Sequence, residues 1–160
     1  ATAVVDASYL IHTTWGPGLL ESAYSIALEA ELRKRGHRVA REVRVPVVWN
    51  DVRVEDAFRI DIVVDDCSIV ELKSVEHTAR VHKKQVITYL KLTGMRLGLL
   101  VNFGEKLIKD GITRPANGMP WTGRQRLCAS AALRGNSVGP PPTLRERDIP
   151  SSSPPPPTAA

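Results

Sequence analysis

Asp61, Glu71 and Lys73 bring two carboxylates and an ammonium into one short stretch of the chain, RIDIVVDDCSIVELK. Alternate residues of a strand share a face. On the first strand of this stretch Phe58, Ile60, Ile62 and Val64 look one way and Arg59, Asp61 and Val63 the other. On the second, Ser68, Val70 and Leu72 share a face, with Ile69, Glu71 and Lys73 opposite. A loop centred on Asp66 sets Asp61 across from Glu71, and a slip of one residue would part them. Opposed carboxylates repel unless a positive charge lies between them; Lys73 and a divalent cation are the two candidates. An ordinary solvated sheet face, with Lys73 paired to Asp61 or Glu71, has the same pattern. The apolar company of Val63, Ile69 and Val70 suggests instead a sheet covered on both faces, where charges need partners or a metal.

Two helical segments add weaker signals. Gly18, Glu21 and Tyr24 have a G-x-x-E-x-x-Y spacing, with Glu21 and Tyr24 neighbours at i, i+3. Tyr24 reads equally as a core aromatic, and Glu21 as an acid complementing a helix dipole. Gln85 and Tyr89 stand at i, i+4 in a stripe with Val81 and Leu92, which also suits simple packing on a sheet. Arg80, Lys83 and Lys84 begin the same helix and could meet phosphates or form a solvated basic face. His12, His37, His77 and His82 show no metal-ligand spacing, and surface positions are expected for them.

The elements that must position these residues follow from period and stop signals. Helical spacing runs over Val4–Thr13, and a second helix over Pro17–Arg35, with Pro in its first turn and Gly36 after it. Strands are expected at Glu42–Trp49, Val54–Val64 and Ser68–Lys73, the first two joined by an Asn50-Asp51 turn. A helix over Thr78–Thr93, closed by Gly94, leads to a buried strand at Leu97–Val101, with a further strand possible at Gly111–Arg114.

Together the stretches GPGLLESAY (16–24), RIDIVVDD (59–66), IVELKSVE (69–76), QVITYLKLTGMRLGLLVNFG (85–104) and KDGI (109–112) carry a resemblance. The sequence resembles the GxxExxY proteins, a branch of the PD-(D/E)XK nuclease superfamily, from about Val4 to Arg114. The resemblance implies a mixed α/β fold: a central mixed sheet flanked by helices in αβββαβ order, here with an extra N-terminal helix. It assigns Asp61 to the Asp of the motif and Glu71 and Lys73 to its E-x-K, with Ile60 where the motif has Pro. It further implies catalysis by Asp61, Glu71 and Lys73. Mg2+, or Mn2+ in its place, would be held by Glu21, Asp61, Glu71 and the Leu72 carbonyl. Gln85 and Tyr89 would border the substrate, a nucleic acid, DNA ahead of RNA.

Composition sets the remaining bounds. The 160 residues suit one domain, and no apolar run is long enough for a membrane span. Two cysteines without metal or framework spacing point to a reducing compartment, the cytoplasm. Residues 1–114 hold 17 basic and 15 acidic side chains, and residues 115–160 hold 5 and 2. Eight of the 12 prolines lie between Pro140 and Pro157. Residues 1–114 are therefore read as the nuclease-like domain and 115–160 as a Pro/Ser-rich tail, mostly disordered, with a short helix possible at 127–133. Beside a metal-dependent nuclease stand two other readings: a nucleic-acid-binding module with a vestigial site, and a partner-binding protein acting through its tail.

Overall fold

The run LGLLVN lacks an alternating polar face, which is the pattern of a strand covered on both sides, and the run SIVELK sets Ile69, Val70 and Leu72 among Ser68, Glu71 and Lys73. The computed structural model describes residues 1–118 and places both runs at the sheet centre. The elements are α1 (Thr2–Trp15), α2 (Glu21–Lys34), β1 (Val39–Trp49), β2 (Val52–Val64), β3 (Ser68–Lys73), α3 (Arg80–Thr93), β4 (Leu97–Asn102), α4 (Ile108–Gly111) and β5 (Ile112–Thr113). The five strands lie in chain order. Only β3 and β4 are parallel, as α3 crosses over between them; the other neighbours are antiparallel. From α2 onward the order is the expected αβββαβ, and α1 is the extra helix. Among the described residues no helix is long and apolar enough to cross a membrane.

Each face of the sheet has its own core. Val4, Ala7 and Ile11 of α1 and Tyr24, Leu28 and Leu32 of α2 pack on Ile62, Val64, Val70, Leu72, Leu99 and Val101. Val86, Tyr89 and Leu90 of α3 pack on Val45, Ile60, Val63, Ile69 and Leu100. In β3 and β4 successive residues go to opposite clusters, as period two requires.

Several expectations need correction. Ile60 does not share a core with Ile62 and Val64; it joins Val63 beneath α3. The alternation breaks at Asp61. Opposite it in β1, Glu42 takes a left-handed φ of 50° and drops out of the ladder between Arg41↔Ile62 and Val43↔Ile60. Helix α2 begins at Glu21, because Gly16 and Gly18, at φ 69° and 109°, keep the chain out of a helix around Pro17. Val81 and Leu92 are exposed, and the buried stripe of α3 is Val86, Tyr89, Leu90 and Thr93. His12 is not at the surface: it is 8% exposed, with Nε2 2.9 Å from the Glu105 carbonyl oxygen. It lies one turn after Ser8 on the packed side of α1, a position that helical spacing predicts.

The Asn50–Asp51 turn is present, with Asn50 at φ 51°, and Gly94 closes α3 at φ 70° in the left-handed region. After β5 the chain stays bonded to the start of β4. Gly98 donates its N–H to the Pro115 carbonyl at 2.9 Å, and Asn117 its N–H to Arg96 at 3.0 Å. The short helix expected at 127–133, and nearly all of the expected tail, lie outside the described residues.

Candidate active site

The β2–β3 ladder pairs Val64 with Ser68, Val63 with Ile69 and Ile62 with Val70, so the next opposed residues are Asp61 and Glu71. The ladder stops there. The Leu72 N–H, past the last pair, donates to Asp61 Oδ2 at 2.8 Å. A side chain thus takes over from the partner strand's backbone, and the Asp61 carboxylate is held at the point where the strands part.

Glu71 is 1% exposed. Its Oε1 accepts a hydrogen bond from Lys73 Nζ at 2.8 Å, while its Oε2 is buried with no hydrogen-bond partner among the described residues. A buried carboxylate oxygen left unpaired is costly, so it marks a place where something positive or a proton belongs. Burial, reinforced by the negative charge of Asp61, pushes the Glu71 carboxyl up to about 7 against the pull of Lys73. Burial also raises Asp61, although the Leu72 N–H and Lys73 oppose it. Burial pulls the Lys73 ammonium down, but its bond to Glu71 and the nearby charges of Glu71, Glu21 and Asp61 outweigh this and hold it above its usual value. Lys73 therefore stays charged.

Glu21 is the first residue of α2, and its Oε1 lies 3.6 Å from Lys73 Nζ. Burial raises its carboxyl, with Lys73 opposing. The G-x-x-E-x-x-Y spacing has a physical basis here. Gly18 takes a backbone conformation that side chains disfavour. One helical turn after Glu21, the Tyr24 hydroxyl donates to the Gly16 carbonyl at 2.6 Å and accepts from the Leu19 N–H at 3.2 Å. Its ring stacks on Phe103 at 4.2 Å. Tyr24 is thus both core aromatic and clasp of the loop that aims Glu21. Ser74 Oγ, just past Lys73, donates to the Leu19 carbonyl at 2.6 Å and ties that loop to the site.

Gln85 and Tyr89 meet each other on α3: Gln85 Nε2 donates to the Tyr89 hydroxyl at 2.6 Å, and that hydroxyl reaches the Arg59 carbonyl at 3.4 Å. Burial raises the Tyr89 phenol, as do the charges of Glu71 and Asp61, against the Gln85 bond. The Leu72 carbonyl accepts a hydrogen bond from Lys73. Among the described residues no three His, Cys, Asp or Glu side chains form a ready cage for a metal. Glu71 and Glu21 instead lie 2.8 and 3.6 Å from the Lys73 ammonium, with the charge of Asp61 acting on it from further off, and the group that fits a cation is the open Oε2 of Glu71 beside Asp61.

Three features were not expected from the sequence. Asn102, fully buried, accepts from the Val75 and Gly104 N–H groups at 3.0 and 3.1 Å and donates to the Val75 carbonyl at 2.7 Å. It clamps the segment leaving Lys73, its register partner on β3. A polar residue ending the apolar run LGLLVN was the available signal. Gly104 fits there because a Cβ would come within 2.3 Å of the Val75 carbonyl oxygen. Finally, a cleft of about 170 Å³ opens beside Asp61 between α2 and the β1–β2 hairpin, lined by Glu21, Ser22, Ser25, Arg41, Glu42 and Arg59.

Compared with models of protein families, residues 1–115 match that of the PD-(D/E)XK nuclease superfamily, and the chain belongs to it. Neither the curated proteins nor the solved structures include a match. The mixed sheet with its flanking helices is consistent with that superfamily's fold, whose members are usually nucleases and generally depend on a divalent metal.

Proposed function

We propose that this member of the PD-(D/E)XK nuclease superfamily is a metal-dependent nuclease that hydrolyses phosphodiester bonds at the Asp61–Glu71–Lys73 cluster. The observation that carries the reading is the buried, unpartnered Oε2 of Glu71 beside Asp61 and a charged lysine. Such an oxygen suits a hard cation such as Mg2+ or Mn2+, which binds through one or two carboxylates and keeps several waters. Asp61 and Glu71 would hold the ion, with Glu21 able to reach it directly or through a water and the Leu72 carbonyl as a further donor. When bound, the ion supplies an activated water and neutralises charge building on the phosphate.

The chain's own groups do the rest. Lys73, charged at neutral pH, orients the attacking water and steadies the oxygens of the phosphate as their charge grows. The Leu72 N–H holds Asp61 in position through its bond to Oδ2. Gln85, at the flank of α3 facing the site, offers an amide to a phosphate oxygen, and the Tyr89 hydroxyl orients that amide. The Glu21 loop, clasped by Tyr24 and carrying GPGLLE, supports placing the chain in the GxxExxY branch. The active unit is residues 1–114, with 115–160 an appendage. DNA is the expected substrate and the cytoplasm the expected compartment.

The test is cleavage of linear DNA, circular DNA and RNA in Mg2+, Mn2+ or chelator, beside Lys73→Ala and Glu71→Gln. Metal-dependent cleavage that both substitutions abolish, and that a chain ending at residue 118 retains, is the expected result. Binding without cleavage in any metal would turn the reading to a vestigial site, and loss of activity on removing the tail would turn it to a partner-binding role.

A further inference from the structure

Charge is divided unevenly along the chain. Residues 1–76 hold 9 basic and 13 acidic side chains, and residues 77–114 hold 8 and 2. The two parts also differ in pairing. Every arginine from Arg33 to Arg59 touches a carboxylate. None of the basic side chains from Arg80 to Arg114 is in an ion pair among the described residues. The candidate site is therefore a poor magnet for a polyanion: Arg59 is met by Glu42, Arg41 by Glu29 and Lys73 by Glu71. Attraction for phosphates must come from outside it.

Helix α3 borders the site through Gln85 and Tyr89 and has no acidic residue. At 100° per residue, Arg80, Lys84 and Lys91 fall within about 40° of one another, opposite the buried stripe of Val86, Tyr89, Leu90 and Thr93. All three are exposed, as is Lys83 at their flank. The row is about 16 Å long, matching some five nucleotides of one strand at 3.4 Å each. Arg80 is the first helical residue, and Lys83 and Lys84 follow within the first turns, where cations oppose the helix dipole. No carboxylate of α3 compensates them, so the row brings the isolated fold no return.

We propose that the outer crest of α3, through Arg80, Lys84 and Lys91 with Lys83 alongside, binds the phosphate backbone of a nucleic acid and holds it on the molecule that carries the Asp61–Glu71–Lys73 cluster. This rests on the nuclease reading for what happens next, and on the charge geometry alone for the binding.

The experiment is fluorescence anisotropy of labelled single-stranded and duplex DNA, in chelator, from 50 to 300 mM salt. The wild type is compared with Arg80→Gln/Lys84→Gln/Lys91→Gln and with the equal charge loss Lys106→Gln/Lys109→Gln/Arg114→Gln. Three lost phosphate contacts lower the slope of log affinity on log salt by about 2 on single strands and about 3 on duplex, and weaken binding about tenfold or more. The control stays near wild type. A melting temperature no lower than wild type checks the fold, and Lys84→Gln alone lowers the slope by just under about 1. An unchanged slope, or an equal loss in the control, overturns the assignment and leaves an acidic protein surface as the occupant of this face. The two readings separate cleanly. Slope loss with no cleavage by the wild type in Mg2+ or Mn2+ upholds the crest and counts against the nuclease. Cleavage by the wild type with an unchanged slope in the triple variant does the reverse.

Discussion

Glu71→Gln should stabilise the metal-free protein. Gln has the shape of a protonated Glu, keeps an acceptor for Lys73 and carries no charge into the buried site. The Glu71 carboxyl stands at about 7 in the folded chain against 4.5 in its absence. The folded state therefore holds this proton more tightly than the unfolded state does. Wild-type stability begins to fall as pH rises through 4.5, and the whole contribution is gone above about 7. At 1.36 kcal/mol per pKa unit the full loss is about 3 kcal/mol. That figure already nets burial and Asp61 against the favourable Lys73 pair. The variant escapes the loss, so its advantage is small at pH 4.5, grows through pH 6 and levels off at about 3 kcal/mol above pH 7, worth about 10 °C in Tm for a domain of this size. Urea unfolding of both proteins from pH 4.5 to 8.5, in chelator, measures it. Adding Mg2+ or Mn2+ at about 100 times its Kd should raise the wild type by about 2.7 kcal/mol and nearly close the gap, with little effect on the variant. A difference that is flat with pH, or a metal that stabilises both equally, would refute the reasoning.

The other predictions concern the neighbours of this group. Lys73→Met leaves Glu71 facing Asp61 without a counter-charge, and should cost about 3 kcal/mol above pH 7 and little at pH 4.5. Adding Glu71→Gln should restore stability but no cleavage, which a double-mutant cycle in urea and a cleavage assay read together. Asn102→Ala strips partners from the Val75 N–H and carbonyl and from the Gly104 N–H. It should destabilise by about 2–4 kcal/mol and lower cleavage through a displaced Lys73, so a denaturation midpoint equal to wild type would count against the clamp.

How much could be read without coordinates varies with how local the determinant is. Leu97–Val101 is legible as a strand because burial on both faces leaves an unbroken apolar run, and Ser68–Lys73 because Ile69, Val70 and Leu72 give apolar residues to both faces around the charges. Asp61 opposite Glu71 follows from a loop centred on Asp66, which the sequence suggests but does not impose, and it is the Ile62↔Val70 register of the fold that selects it over a slip of one residue. The start of α2 is not legible locally, since Pro17 suits a first helical turn in isolation and only two left-handed glycines and the Tyr24 clasp hold the chain out of it. The burial of His12 is legible in its place one turn after Ser8, against the surface position its lack of ligand spacing suggests, while its partner, the Glu105 carbonyl, is distant in the chain and leaves no local sign.

Residue type, spacing and period thus determined the element order, the apolar pattern of the central strands and the gathering of Asp61, Glu71 and Lys73 in one hairpin, each of which leaves its mark in the local sequence. The tertiary structure decided the rest. It buried Glu71 so deeply that one oxygen has no partner, brought Glu21 from a separate helix to within 3.6 Å of Lys73, and broke the alternation of β2 at Asp61. Burial, desolvation and the meeting of distant segments depend on how the layers close over one another, and no local pattern encodes that.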